Sequence, residues 1–80
     1  MRILFEHTDT FCGEANYSWI RRGEYDGKRP ESRLSVVRHA KAWAGLTGIP
    51  CRVDDLGDML AIRPRGVCQV VYITWIEVAS

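Results

Sequence analysis

Residues 67–78, "VCQVVYITWIEV", are dense in β-branched and aromatic side chains and apolar on both alternating faces. Val67, Val71, Ile73 and Trp75 fall on one side, and Cys68, Val70, Tyr72, Ile76 and Val78 on the other. A strand of this kind belongs at the centre of a sheet, or has one face on a helix and the other partly covered or open to a partner. The remaining segments must therefore supply neighbouring strands and a cover.

Shorter strand patterns flank a single helical one. In "RILFEHT" Ile3, Phe5 and His7 alternate with Arg2, Leu4 and Glu6, which predicts a strand. Gly13 interrupts the pattern, and "ANYSWIRR" restores it with Tyr17 and Trp19 on one side, Ser18 and Ile20 on the other. "GEYDGKRPE" reads as a loop. Pro30 and an N-cap at Ser32 introduce a helix over about residues 33–46, whose apolar arc is Val36, Val37, Ala40, Trp43 and Ala44. Gly45 or, better, Gly48 ends it, and Pro50 prevents its continuation. "CRVDD" and "MLAIRP" then flank "LGD" as a hairpin turning at Gly57, and "PRG" makes another turn. The element order is ββαβββ: an antiparallel sheet with one helix on one face, a two-layer α+β fold.

The 80 residues read as a single domain, 1–80, with enough apolar content (46%) for a folded core. One helix covers one face of such a sheet, and little chain remains for the other. Tyr17, Trp19, Tyr72 or Trp75 on the uncovered side would form an aromatic patch, and aromatic and Arg side chains are the usual interface anchors. An exposed strand edge could also make a homodimer.

A net charge of +1 argues against a strongly basic DNA-coating protein and against an acidic nucleic-acid mimic. The charges are uneven along the chain. Arg21, Arg22, Lys28, Arg29, Arg33, Arg38 and Lys41 outnumber Glu24, Asp26 and Glu31, while Asp54, Asp55 and Asp58 crowd one turn. That distribution predicts an electrically two-sided molecule. Three widely spaced cysteines favour a reduced setting. No run is long enough to span a membrane, and the first residues turn polar too early for a signal peptide. A cytoplasmic protein with no membrane partner is expected.

Candidate chemistry is sparse. His7, His39 and the cysteines lack zinc-ligand spacing, so no metal and no cofactor are expected. Cys12 in "TFCGE" has no base placed by spacing, and Cys51 and Cys68 read as small core residues. The acids of "VDDLGD" suit a turn better than a calcium loop. The chain thus reads as no enzyme, with catalytic residues none. What remains is an Arg/aromatic edge: Tyr17, Trp19, Arg21, Arg22, Lys28, Arg29 and Arg38 are the candidate partner-binding residues. Such an edge suits protein docking, or phosphate contact with base stacking on single-stranded nucleic acid.

The segments "GEANYSWIRR", "VVRHAKAWAGLTGIPCRVDDLGDMLAIRPRG" and "CQVVYITW" resemble short phage and prophage proteins without assigned chemistry. In size, charge balance and α+β character the chain is similar to the anti-CRISPR proteins among them. That resemblance implies a stoichiometric inhibitor in a bacterial host's cytoplasm. It would dock on a CRISPR effector such as a type I Cascade complex and block target-DNA binding or nuclease recruitment. It assigns no residue, because the class shares no motif. The expected partner is a host protein or ribonucleoprotein complex, with nucleic acid as the alternative and a monomer or homodimer as the functional unit.

Overall fold

A computed structural model describes residues 2–11, 14–26 and 33–76, with the backbone alone for Ile76. The elements are β1 (Arg2–Phe11), β2 (Glu14–Asp26), α1 (Arg33–Ala44), β3 (Cys51–Asp55), β4 (Met59–Pro64) and β5 (Gln69–Ile76). All strand pairs are antiparallel, and the sheet order is β2-β1-β5-β4-β3. The chain order ββαβββ therefore holds along the sequence, but the spatial order departs from it. β5, the last strand, inserts between the first hairpin and the third and fourth strands. Its two apolar faces suit an interior position, where both its edges are paired and each face has a neighbour on either side.

The register assigns the faces. Ile3 lies between Tyr25 and Trp75, Phe5 between Gly23 and Ile73, and His7 between Arg21 and Val71. Leu60 and Ile62 extend the same side through β4. This set faces α1, whose buried residues Val36, Ala40 and Ala44 form one stripe. Leu46 completes the core, while Val37, Trp43, Ile49, Cys51 and Trp75 pack at its margin. The small side chains along the stripe let the helix lie close to the sheet.

Trp43 carries the packing to the edge strand. A Cβ on Gly23 would lie 2.6 Å from its Nε1, so the bare glycine is what admits the indole. The ring is further held by Phe5 (centroids 5.4 Å apart) and His7 (6.0 Å), and Arg21 lies over it at 5.3 Å.

Several boundaries differ from the sequence reading. Gly23, Glu24, Tyr25 and Asp26, expected in a loop, extend β2, because Ile3 and Phe5 supply partners that local composition does not reveal. The helix ends at Ala44 with Gly45, not Gly48, as the left-handed cap (φ 75°). The Leu46 amide donates to the Lys41 carbonyl at 2.8 Å and the Gly45 amide to that of Ala42 at 3.3 Å, with Leu46 buried beneath, a complete Schellman closure. β5 starts at Gln69, which leaves Val67 and Cys68 exposed; Cys68 is not a core residue. Gly57 turns the β3–β4 hairpin as expected (φ 95°). The proposed helix start at Pro30 and Ser32, and Val78, lie outside the described residues.

Gly23→Ala forces the wedged indole to move. We expect a loss of about 1–3 kcal/mol in urea unfolding, partly recovered by W43F in the same chain. An unchanged midpoint for Gly23→Ala would show that the indole does not rest on Gly23.

Candidate binding face

On the side away from the helix, the register gathers Leu4, Glu6 and Thr8 of β1 with Arg22 and Glu24 of β2. Tyr72 and Thr74 of β5, with Met59 and Ala61 of β4, join them. Among the described residues no second layer covers this side. A concavity of about 420 Å³ lies here, lined chiefly by Leu4, Glu6, Arg22, Glu24, Tyr72 and Thr74. Its charged rim is internally matched: Arg22 Nε lies 3.5 Å from Glu6, and Arg2 Nε 3.5 Å from Glu24 and 4.0 Å from Asp26. Exposed pairs of this kind contribute only about 0–1 kcal/mol, so a partner's groups could replace them at little cost.

Toward Thr8 the same side of the sheet carries an irregular arch. The β1–β2 register slips between Thr8, opposite Ile20, and Thr10, opposite Ala15, so that residues 16–19 bulge past the single residue Asp9. Short polar side chains of β1 hold the arch. The Asp9 carboxylate accepts bonds from the Ser18 amide (2.9 Å), the Ser18 hydroxyl and the Asn16 amide (3.0 Å). Thr8 Oγ1 accepts from the Tyr17 amide at 3.1 Å and donates to the Trp19 carbonyl at 3.0 Å. Thr8 is fully buried there, and Val70 opposite it is buried too. The Ser18 and Asn16 bonds hold the Asp9 carboxyl down at about 2, from its ordinary 3.8.

At the crown of the arch Tyr17 adopts φ 57°, the left-handed region that a bulky side chain enters at a cost of roughly 1–2 kcal/mol. Its phenol lies on the uncovered side, within the influence of the Glu6 carboxylate. Partial desolvation first, and then the Glu6 charge, push the phenol above its ordinary 10.0. Strain of this type concentrates where a side chain must be aimed.

The seven residues proposed from the sequence do not converge. Tyr17 and Arg22 lie on the uncovered side. Trp19, expected beside Tyr17, faces the other way and meets His7 edge-on at 4.8 Å, because the arch breaks the alternation. Arg21 rests on Trp43, again on the helix side. Arg38 is exposed on α1, and Lys28 and Arg29 lie outside the described residues. The sequence reading missed Leu4, Glu6, Glu24 and Thr74. Their signal was present in the period-two alternation of β1 and β5, once Ile3 and Phe5 are assigned to the core.

Other candidate chemistry resolves into structure. His7 is buried, its Nε2 3.0 Å from Gln69 Oε1, and His39 stacks on Tyr25 with centroids 4.8 Å apart. The expected acidic side does not form around the β3–β4 turn. Asp55 pairs with Arg33 and caps the Gly57 amide at 2.9 Å, and Asp54 pairs with Arg52 and Arg63, each at 3.1 Å. Cys12 lies outside the described residues. Among the described residues no three of His, Cys, Asp and Glu are grouped to hold a metal, and no helix is long and apolar enough to cross a membrane. Comparison with family models, curated proteins and solved structures gives no match.

Because the folded pKa of Asp9 is depressed, its contribution to the arch is complete above about 3.8 and fades as pH falls toward 2. The Ser18 amide proton shift should titrate with a midpoint near 2, and D9N should abolish that transition. A midpoint at 3.8 would mean that Asp9 does not hold the arch.

Proposed function

We propose that this chain is a non-enzymatic binding module whose uncovered sheet face receives a protein partner. The observation that carries the reading is the concavity between β2, β1 and β5, with a strained Tyr17 aimed at Glu6 on the same side. Tyr17 and Tyr72 supply broad apolar surface with a polar tip, and Arg22 and Glu24 supply directional charge. Leu4 adds an aliphatic contact.

The partner class follows from how the cations are used. A phosphate-tracking groove needs converging, available cations. Here Arg22 is matched by Glu6 and Arg2 by Glu24 and Asp26, while Arg21 lies on the other side of the sheet. Alternating matched charges suit a protein surface that presents complementary ones. The finer assignment, an anti-CRISPR inhibitor seated on a type I Cascade effector in a bacterial cytoplasm, rests on the segmental resemblance alone.

The test is co-elution with purified Cascade, combined with plaque assays under CRISPR immunity. Stoichiometric co-elution and protection are expected, and Tyr72→Ala should weaken binding by about 2 kcal/mol if it is a central anchor. No co-elution and no protection would remove the Cascade assignment. Direct, steeply salt-sensitive mobility shifts of single-stranded DNA or RNA would replace the protein-docking reading with the nucleic-acid one.

A further inference from the structure

β2 is an edge strand of 13 residues, and among the described residues only β1 pairs with it. Residues 20–26 run in unbroken register with β1, without the bulge that disrupts the strand's other half. Most of this stretch is exposed, with Gly23 and Tyr25 half-buried. A long, regular edge without proline is a template for another strand, and the sequence of this one is complementary to itself.

Consider two copies pairing antiparallel about a two-fold axis with both helices on the same side of the joined sheet. The axis must then pass through a residue. Centred on Gly23, Arg22 of each copy faces Glu24 of the other, Arg21 faces Tyr25, and Ile20 faces Asp26. An axis at Arg22 would set that arginine against its own copy, and one at Glu24 would do the same with two carboxylates. An axis at Tyr25 would oppose Glu24 and Asp26. Like charges directly opposite destabilise a strand pair and unlike charges support it, so Gly23 is the favoured centre.

The internal ion pairs extend the pattern. Arg2 holds Glu24, and Arg22 holds Glu6. In the Gly23-centred register these join into a row across the uncovered face, Arg2, Glu24, then Arg22 and Glu6 of the second copy, alternating in sign and occurring twice. The opposite edge, β3, is a poorer template. It has five residues, Asp54 is shared by Arg52 and Arg63, and Asp55 is taken by Arg33.

We infer that the chain forms a symmetric homodimer through β2, centred on Gly23 and held in register by reciprocal Arg22–Glu24 pairs, which joins two sheets into one. Because Arg22 and Glu24 also line the concavity, the two concave sites adjoin across the axis. The inference concerns the strand edge and does not depend on which partner occupies the face.

Sedimentation equilibrium of the full chain over a concentration series tests it. The wild type should sediment as a dimer at the higher concentrations. R22E and E24R should each raise the dimer dissociation constant by about tenfold or more, since each places like charges opposite one another twice. Mixed in equal amounts, the two variants should form a heterodimer, visible by native mass spectrometry, because both 22–24 pairs between the copies then regain opposite signs, although each variant still lacks its own pair with Glu6 or Arg2. The double variant R22E/E24R should also dimerise, and circular dichroism should show each protein folded. A wild type that stays monomeric at every concentration overturns the inference. Single variants that dimerise like the wild type also overturn it, as do folded single variants that stay apart on mixing while the double variant stays monomeric.

Discussion

A helix of 12 residues is the only covering layer described for a sheet of five strands, and the other features of the molecule answer that shortage. Its buried positions are Val36, Ala40 and Ala44, side chains too small to reach the sheet's margins. Trp43 provides the reach. It spans from the helix to the edge strand, where Gly23 receives it, and it links a chain of rings from His39 through Tyr25 and Phe5 to His7 and Trp19. Aromatic burial of this kind gives each contact a large apolar area for few ordered torsions. Arg33 does similar work at the other end, lying over Trp75 at 5.6 Å while pairing with Asp55.

The uncovered face meets the same shortage by a different route. Its charged side chains pair within the face, and the arch of residues 16–19 folds over the Thr8 end. Thr8 could not be buried without partners for its hydroxyl, and the arch provides both a donor and an acceptor. The geometry that seals Thr8 is also the one that places Tyr17 in the left-handed region. Closure of the sheet end and presentation of Tyr17 are therefore one structural event.

Much of this was legible from side-chain periodicity. The alternation of Ile3, Phe5 and His7 marked β1 as a strand, and the two apolar faces of β5 admitted the centre of the sheet as one of its two expected places. The arc of Val36, Ala40 and Ala44 marked the buried stripe of α1. What failed to show were features set by residues distant in sequence. "GEYD" carries loop composition, yet Ile3 and Phe5 draw it into a strand, and Gly23 serves packing instead of turning. The opposite orientations of Tyr17 and Trp19 depend on a slip opposite Asp9, which no local pattern encodes. Asp54 and Asp55 looked like an acidic patch because Arg33 and Arg63 join them only in three dimensions.

The distribution of charge bears on how such a surface recognises anything. Arg2, Arg22, Arg33, Arg52 and Arg63 each lie within 4.0 Å of a carboxylate, so their far fields largely cancel. Beyond a Debye length of about 8 Å at physiological salt, little steering from these groups survives. Discrimination then falls to contact distance: the shape of the concavity, the fixed aim of Tyr17, and the order of signs along β2. An alternating row tolerates one alignment and opposes its neighbours, whereas a block of like charge attracts many partners indiscriminately. In the proposed binding role, this arrangement trades rate of encounter for selectivity of fit.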